Sequence, residues 1–298
     1  MIILFLSLIS ACSNTVVETA ETGDSVTEWT VQSSSDGEWI AIAAGFQHTC
    51  AINHINEITC WGRAGDSYDN DPLQPPGGAW EFVGSNQAYS CALREDGFAD
   101  CWGDNDFGKA RPPIDNFSDI GLGYSHACGV LTEDQSITCW GWAVQDYPAP
   151  DGAYLAVEGG YHFSVALSTD GTLYGWGYDY DGQASPPDGT YIQIAAGGEH
   201  ACAVTTESQV VCWGGNDYSQ ASSPNAEMSQ ITAGANHTCG IDPTGKIHCW
   251  GDNSYGQSTP PSGSFASVSA GGAYTCAIDN SGYIHCWGWD SFGEASPP

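Results

Sequence analysis

The 298-residue sequence predicts an all-β fold, a seven-bladed β-propeller, on three observations. The first is internal repetition. With a leading aromatic or Met residue as the marker, copies start at Trp39, Trp80, Phe117, Tyr154, Tyr191, Met228 and Phe265, spaced 41 residues once and then 37 residues five times. The second is the content of one copy. Met228–Ala233, His237–Ile241 and Lys246–Trp250 are short alternating or β-branched runs, separated by Gly-rich and Asp-Pro-Thr-Gly segments that favour chain reversal. No run places apolar residues at i, i+3, i+4 and i+7, so helices are not expected. The third is that a sheet of three or four such strands cannot bury both faces alone. Seven sheet-sized units suit a closed ring better than an open stack with special caps.

Fixed offsets carry the pattern into the expected core. Three residues after the marker stand Ile42, Val83, Ile120, Val157, Ile194, Ile231 and Val268, all β-branched, as residues packed between adjacent sheets would be. Six residues after it come Gly45, Gly123, Gly160, Gly197, Gly234 and Gly271, with Asn86 the exception. Since Asn tolerates positive φ best among the other residues, a left-handed backbone is expected at this offset. A small residue follows each cysteine position, at Ala51, Ala92, Gly129, Ala166, Ala203, Gly240 and Ala277, consistent with close approach of neighbouring sheets. A Trp-Gly pair closes each copy, at Trp61, Trp102, Trp140, Trp176, Trp213, Trp250 and Trp287.

The run G-x-x-H-T-C-A-I, a Gly turn, then I-x-C-W-G-x-N-x-x-G-Q is found at Gly45–Ile52 with Ile58–Gly62, and at Ile247–Gln257. It resembles the repeat of the regulator of chromosome condensation family, in the cysteine-bearing form of bacterial secreted proteins related to β-lactamase inhibitor protein II. The resemblance spans residues 39–298. It implies a seven-bladed propeller and, by analogy, an interaction or inhibitor role. Eukaryotic relatives act as exchange factors on a small GTPase and bind chromatin. The export signal and acidic composition described below argue against transferring either role, and a shared fold hosts many activities.

Of thirteen cysteines, all but Cys12 fall into pairs that bracket one hairpin: Cys50 with Cys60, Cys91 with Cys101, Cys128 with Cys139, Cys202 with Cys212, Cys239 with Cys249, and Cys276 with Cys286. In the fourth copy Val165 and Gly175 replace both members together. Independent loss would do so roughly one time in thirteen, which favours disulfides within a blade. A His precedes the first Cys by two residues at His48, His126, His200 and His237, the start of a zinc-ligand set. Tyr89 and Tyr274 replace it in copies that keep both Cys, however, and no fourth ligand is evident, so no metal and no cofactor are expected. The His series is expected to hydrogen-bond to backbone.

At the N-terminus, Ile2–Ile9 is too short to span a bilayer and ends in Ser10-Ala11-Cys12. Ile9–Cys12 resembles a lipoprotein lipobox, although no Lys or Arg precedes the apolar run. Residues 1–11 are therefore expected to be a signal peptide and 12–38 a disordered acidic tether carrying lipidated Cys12, with 39–298 the propeller. Glu28–Gln32 is a candidate extra strand. The expected location is the bacterial cell envelope, periplasmic or surface, with membrane attachment only through the lipid and the protein a monomer.

Thirty-six acidic residues against five basic ones give a net charge of −31, which repels phosphate backbones and disfavours nucleic acid as a partner. No G-x-S-x-G, H-E-x-x-H or phosphate loop is present, so the protein is not expected to be an enzyme; a hydrolase or lyase with an unrecognised site is the minor alternative. Asp104-Asn105-Asp106 and Asp179–Gly182 read as turns in preference to calcium loops, and the acceptor triplets at Asn116 and Asn236 as chance. Copies differ most two residues after the Trp of Trp-Gly, where Trp142, Tyr178 and Trp289 stand against Arg63, Asp104, Gly215 and Asp252. These three rings are the candidate binding residues on rim loops, recognising a protein partner or, as the alternative, a surface glycan in a lectin-like mode. Phe107, Tyr218, Tyr255 and Phe292 share one offset and are assigned to the turn.

Overall fold

The computed structural model describes residues 39–65 and 71–298. The expected signal peptide, Cys12, the acidic tether and the Glu28–Gln32 strand lie outside the described residues.

Seven three-stranded antiparallel sheets follow one another along the chain. Each begins with an inner strand: β1 (Trp39–Ala44), β4 (Phe82–Asn86), β7 (Phe117–Leu122), β10 (Tyr154–Gly159), β13 (Tyr191–Ala196), β16 (Gln230–Ala233) and β19 (Phe265–Ala270). Middle strands are β2 (His48–Asn53), β5 (Tyr89–Leu93), β8 (His126–Leu131), β11 (Phe163–Ser168), β14 (His200–Thr205), β17 (His237–Ile241) and β20 (Tyr274–Asp279). Outer strands are β3 (Ile58–Gly62), β6 (Ala99–Gly103), β9 (Ile137–Gly141), β12 (Leu173–Gly177), β15 (Val210–Gly214), β18 (Ile247–Gly251) and β21 (Ile284–Gly288). Each inner strand touches the next around the circle, and β19 returns to β1. The blades thus close into a ring, and all seven inner strands line an axial cavity of about 300 Å³.

The core is divided among the junctions. Cys239, Ile241 and Ile247 of blade 6 pack with Phe265, Val268 and Ala277 of blade 7 in one cluster, and equivalent clusters fill the other junctions. The β-branched series is buried as expected, from Val157 at 0% to Ile42 at 9% exposure.

Five inner strands start at their marker, but β4 and β16 start two residues later, with Trp80 and Met228 still buried ahead of them.

All six cysteine pairs are disulfides within a blade, each joining directly opposed residues of the middle and outer strands. Cys50 bonds Cys60 across β2 and β3, and Cys91 bonds Cys101 across β5 and β6. Cys128 bonds Cys139 across β8 and β9, and Cys202 bonds Cys212 across β14 and β15. Cys239 bonds Cys249 across β17 and β18, and Cys276 bonds Cys286 across β20 and β21. Their Cα–Cα distances are 4.0–4.1 Å. The two ends differ in environment: the middle-strand cysteines are buried, whereas Cys60, Cys101, Cys139, Cys212, Cys249 and Cys286, on outer strands, are only partly covered. In blade 4 the same register pairs Val165 with Gly175.

The repeated Gly at the sixth offset is required for another reason than the one expected. None of Gly45, Gly123, Gly160, Gly197, Gly234 and Gly271, nor Asn86, has positive φ. A Cβ on Gly234 would instead stand 2.3 Å from the Gly271 carbonyl oxygen and 2.4 Å from the His237 ring, so close approach excludes a side chain. Asn86 stays by donating from Nδ2 to the Leu122 carbonyl at 2.6 Å. Positive φ belongs to the Gly of Trp-Gly, from +89° at Gly214 to +111° at Gly62, where the chain turns off the outer strand.

Candidate functional site

The His series builds the scaffold by a different bond from the one expected. His48, His126, His200 and His237 donate or accept through Nε2 at 2.8 Å to hydroxyls of the next blade, at Ser90, Ser164, Thr238 and Thr275. Thr238 and Thr275 spend their protons on the Gln220 and Gln257 carbonyls at 3.0 Å, so His200 and His237 are Nε2–H tautomers donating to them. Backbone acceptance, expected for His, is found where Tyr replaces it: Tyr274 donates to the His48 carbonyl at 2.6 Å and Tyr89 to that of His126 at 2.7 Å. Burial lowers the His48, His126 and His237 pKa values to about 4 and that of His200 to about 3. The Ser–His contacts imitate a nucleophile and its base, yet Ser90, Ser164 and both rings are buried and substrate has no access.

A second clasp crosses six junctions. The indole N–H of Trp102, Trp140, Trp213, Trp250, Trp287 and Trp61 donates to the carbonyls of Pro72, Lys109, Gln183, Gln220, Gln257 and Glu294, at 2.8–3.1 Å. Each acceptor lies on the return loop of the preceding blade, and the Glu294 bond links the last blade to the first.

The same return loops set one face of the ring. The residue after each Trp-Gly donates its N–H to the carbonyl just before the first middle-strand residue, as Trp142 does to Ser125 (2.9 Å), Tyr178 to His162 (2.8 Å) and Trp289 to Ala273 (2.9 Å). Return loops and inner-to-middle loops therefore share a face, and aromatic rings concentrate there. Trp142 is 42% exposed and meets His162 edge-on at 5.2 Å; Tyr124 lies 6.0 Å from His162 and 5.4 Å from Tyr161. Tyr178 is 51% exposed and stacks on Tyr180 at 6.4 Å. Trp142 and Tyr178 thus flank His162 on adjoining blades. Trp289 sits across the ring, half-buried, stacked on Tyr255 at 5.6 Å and leaning on Phe292, whose ring carries the Arg63 guanidinium at 5.0 Å.

Two groups on this face go beyond the residues singled out by sequence. Tyr124, Tyr161 and His162 are the first, although Tyr124 and Tyr161 stand where later copies hold Gly198, Ala235 or Gly272, and His162 stands one place further, where they hold Glu199, Asn236 or Ala273, which marks all three as departures. Phe107, Tyr218, Tyr255 and Phe292 are the second: they are 42–67% exposed, so rings assigned to the turn also present surface. Burial and the nearby Glu199 charge push the Tyr161 hydroxyl up to about 12, while burial holds His162 below its ordinary value against the Glu199 charge. The acidic turns are occupied by their own bonds: Asp104 pairs with Lys109 at 2.7 Å, and Asp179 accepts from Ala184 N–H and Ser185 Oγ. Among the described residues no group of three or more His, Cys, Asp or Glu is placed to hold a metal, and no helix is long and apolar enough to cross a membrane.

Comparison with known proteins agrees with this architecture. The regulator of chromosome condensation (RCC1) repeat matches residues 155–183, 191–220, 228–257 and 265–294. The human E3 ubiquitin-protein ligase HERC2 is 29% identical over 153 residues, covering 47% of this chain but only 3% of that protein. The CRINKLY WD40 ectodomain of the Arabidopsis thaliana receptor kinase ACR4 superposes with a TM-score of 0.72 at 24% identity, over 88% of this chain and 99% of that one. Prp20p of Saccharomyces cerevisiae, described for its binding to Gsp1p and histones, gives 0.54 at 17% identity, over 87% and 74%. At these identities the superpositions establish the fold.

Proposed function

On the premise that this chain is a propeller of regulator of chromosome condensation repeats, we propose that it is a non-catalytic module that recognises a protein partner through the aromatic face. The observation that carries the reading is the placement of Trp142, Tyr178 and Trp289, with Tyr124, Tyr161, Tyr180 and Tyr255, on one side of a ring whose backbone is fixed by disulfides and clasps. Exposed aromatics on rigid supports lose little entropy on binding and supply most of an interface's free energy. Six disulfides belong to an oxidising compartment, which supports export, and the lipobox-like Ile9–Cys12 supports lipid attachment at Cys12 to an envelope membrane. The net charge of −31 supports a partner other than nucleic acid.

Capture from envelope extract on the full chain carrying Cys12→Ser tests the reading. The captured protein should be lost with Trp142→Ala, Tyr178→Ala and Trp289→Ala combined, and kept with Ile55→Ala and Tyr283→Ala, exposed residues of the opposite, middle-to-outer turns. Capture indifferent to the first set would overturn the choice of face. Saturable binding on a glycan array, abolished by Trp142→Ala and Trp289→Ala, would replace the protein partner by a glycan.

A further inference from the structure

The junction of blades 3 and 4 departs from the other six. Trp176 occupies the indole position of the clasp, but its N–H has no partner among the described residues. The cause is local. The blade 3 return loop reads Trp142-Ala143-Val144-Gln145-Asp146-Tyr147 where blade 6 reads Asp252-Asn253-Ser254-Tyr255-Gly256-Gln257. In blade 6, Asn253 holds the turn through its carbonyl and side chain, and the Gln257 carbonyl is delivered to the Trp287 indole at 2.8 Å. In blade 3 the turn closes on Ala143, at φ +53°, whose carbonyl accepts from both Asp146 and Tyr147, and no carbonyl reaches Trp176. A cleft of about 20 Å³ remains there, room for a single acceptor atom at its base, lined by Trp142, Val144, Tyr147, His162 and Trp176.

The charge around the cleft is one-sided. No Lys or Arg occurs between Arg111 and Lys246, so blades 3 to 5 carry none, whereas Asp146 lies on the blade 3 return loop, Asp179 and Asp181 lie on that of blade 4, and the Glu199 charge acts on His162 at the cleft.

We propose that a short basic segment of the partner protein docks across the mouth of this cleft and lays a backbone carbonyl on the Trp176 indole N–H, completing the seventh clasp from outside. The occupant is argued from the chain itself: at six junctions a turn of the preceding return loop already fills the equivalent place, with an indole donor and a carbonyl acceptor. Trp176 is half-buried, and a donor in such a cleft gains most from an acceptor that excludes water. The aromatic walls and surrounding carboxylates favour lysine or arginine flanking that carbonyl. This inference rests on the reading of the propeller as a binding module and names the chemistry of what it binds.

The probe is a nine-residue capped peptide copying Asn253–Pro261 with Ser254→Lys and Ser258→Lys, titrated into the full chain at low salt. The indole ¹H–¹⁵N signal absent from Trp176→Phe should move saturably. Affinity should fall about tenfold in Trp176→Phe, equal to ~1.4 kcal/mol, and stay unchanged in the clasped control Trp213→Phe. The unsubstituted copy should bind more weakly. An unmoved Trp176 signal at millimolar peptide, or equal binding by Trp176→Phe, overturns the proposal, and equal binding by the two peptides overturns its basic character. If Trp176→Phe does not fold, Tyr147→Ala takes its place with the same expected loss, since Tyr147 is 46% exposed at the rim of the cleft. Partner capture that depends on Trp142, Tyr178 and Trp289 while the peptide fails would leave the binding face standing and remove this inference alone.

Discussion

Between blades 6 and 7, His237 bonds Thr275, Thr275 bonds the Gln257 carbonyl, and that same carbonyl accepts the Trp287 indole. Between blades 3 and 4, His126 still bonds Ser164, but the indole bond is gone; blade 4 itself has Phe163 in place of His and Val165 with Gly175 in place of a disulfide. Both junctions keep a buried apolar cluster. The ring therefore tolerates loss of one indole clasp where packing and the His126–Ser164 bond are retained, and the junction that lacks the clasp also bears Trp142, Tyr178 and His162.

Disulfide changes probe this difference most strongly. Cys239→Ala with Cys249→Ala should lower the unfolding free energy by about 2.5–3 kcal/mol, measured by denaturant unfolding, because the bridge spans a sequence separation of 10 residues. Val165→Cys with Gly175→Cys should fail to add a comparable gain. A Cβ at residue 175 would meet the Ala184 carbonyl oxygen at 2.3 Å, so blade 4 has given that space to its own return loop.

Blade 4 also carries an unusual titration. Burial, reinforced by the Asp119 charge, raises Glu158 to about 8, and burial raises Asp119 to about 6, on inner strands at the axial cavity. A carboxyl raised in the folded state binds its proton more tightly there than when unfolded, so stability falls as pH rises from the ordinary carboxyl value through about 8. Glu158→Gln should therefore be more stable than the natural protein at pH 8.5, by about 2 kcal/mol in denaturant unfolding, with the advantage vanishing below about pH 4.5.

The His series has the opposite sign. His237, lowered to about 4 by burial, contributes stability above its unfolded value of 6.5 that is lost as pH falls through about 4. His237→Phe, copying Phe163, should cost about 1 kcal/mol at pH 7 through the Thr275 bond, and the gap should close or reverse near pH 4. Chemical unfolding at the two pH values measures it.

The smallest effect separates the clasps. Trp213→Phe should cost about 1 kcal/mol more than Trp176→Phe, because only the former removes an indole hydrogen bond.

Features held within one copy are legible in the residues: the strands, the β-branched core, the cysteine pairs from Cys50 with Cys60 to Cys276 with Cys286, and the small residue after each first cysteine. Each depends on neighbours a few positions away along one hairpin. Features made between copies are not. The partner of His237 is Thr275, 38 residues on, and the reason for Gly234 is the Gly271 carbonyl; ring closure brings both to their places. The same distance hides the indole clasp, so Trp142 stands out in the sequence as a departure while the unpaired Trp176 beside it does not. Trp289 shares the offset of Trp142, but its stacking on Tyr255 of the preceding blade leaves it half-buried.

Indole hydrogen exchange in the free, full-length protein tests the central contrast directly. The Trp176 indole proton should exchange at least about a hundredfold faster than those of Trp213, Trp250 and Trp287, which open only with their clasps. A Trp176 proton protected as strongly as these three would mean that the junction of blades 3 and 4 is already closed.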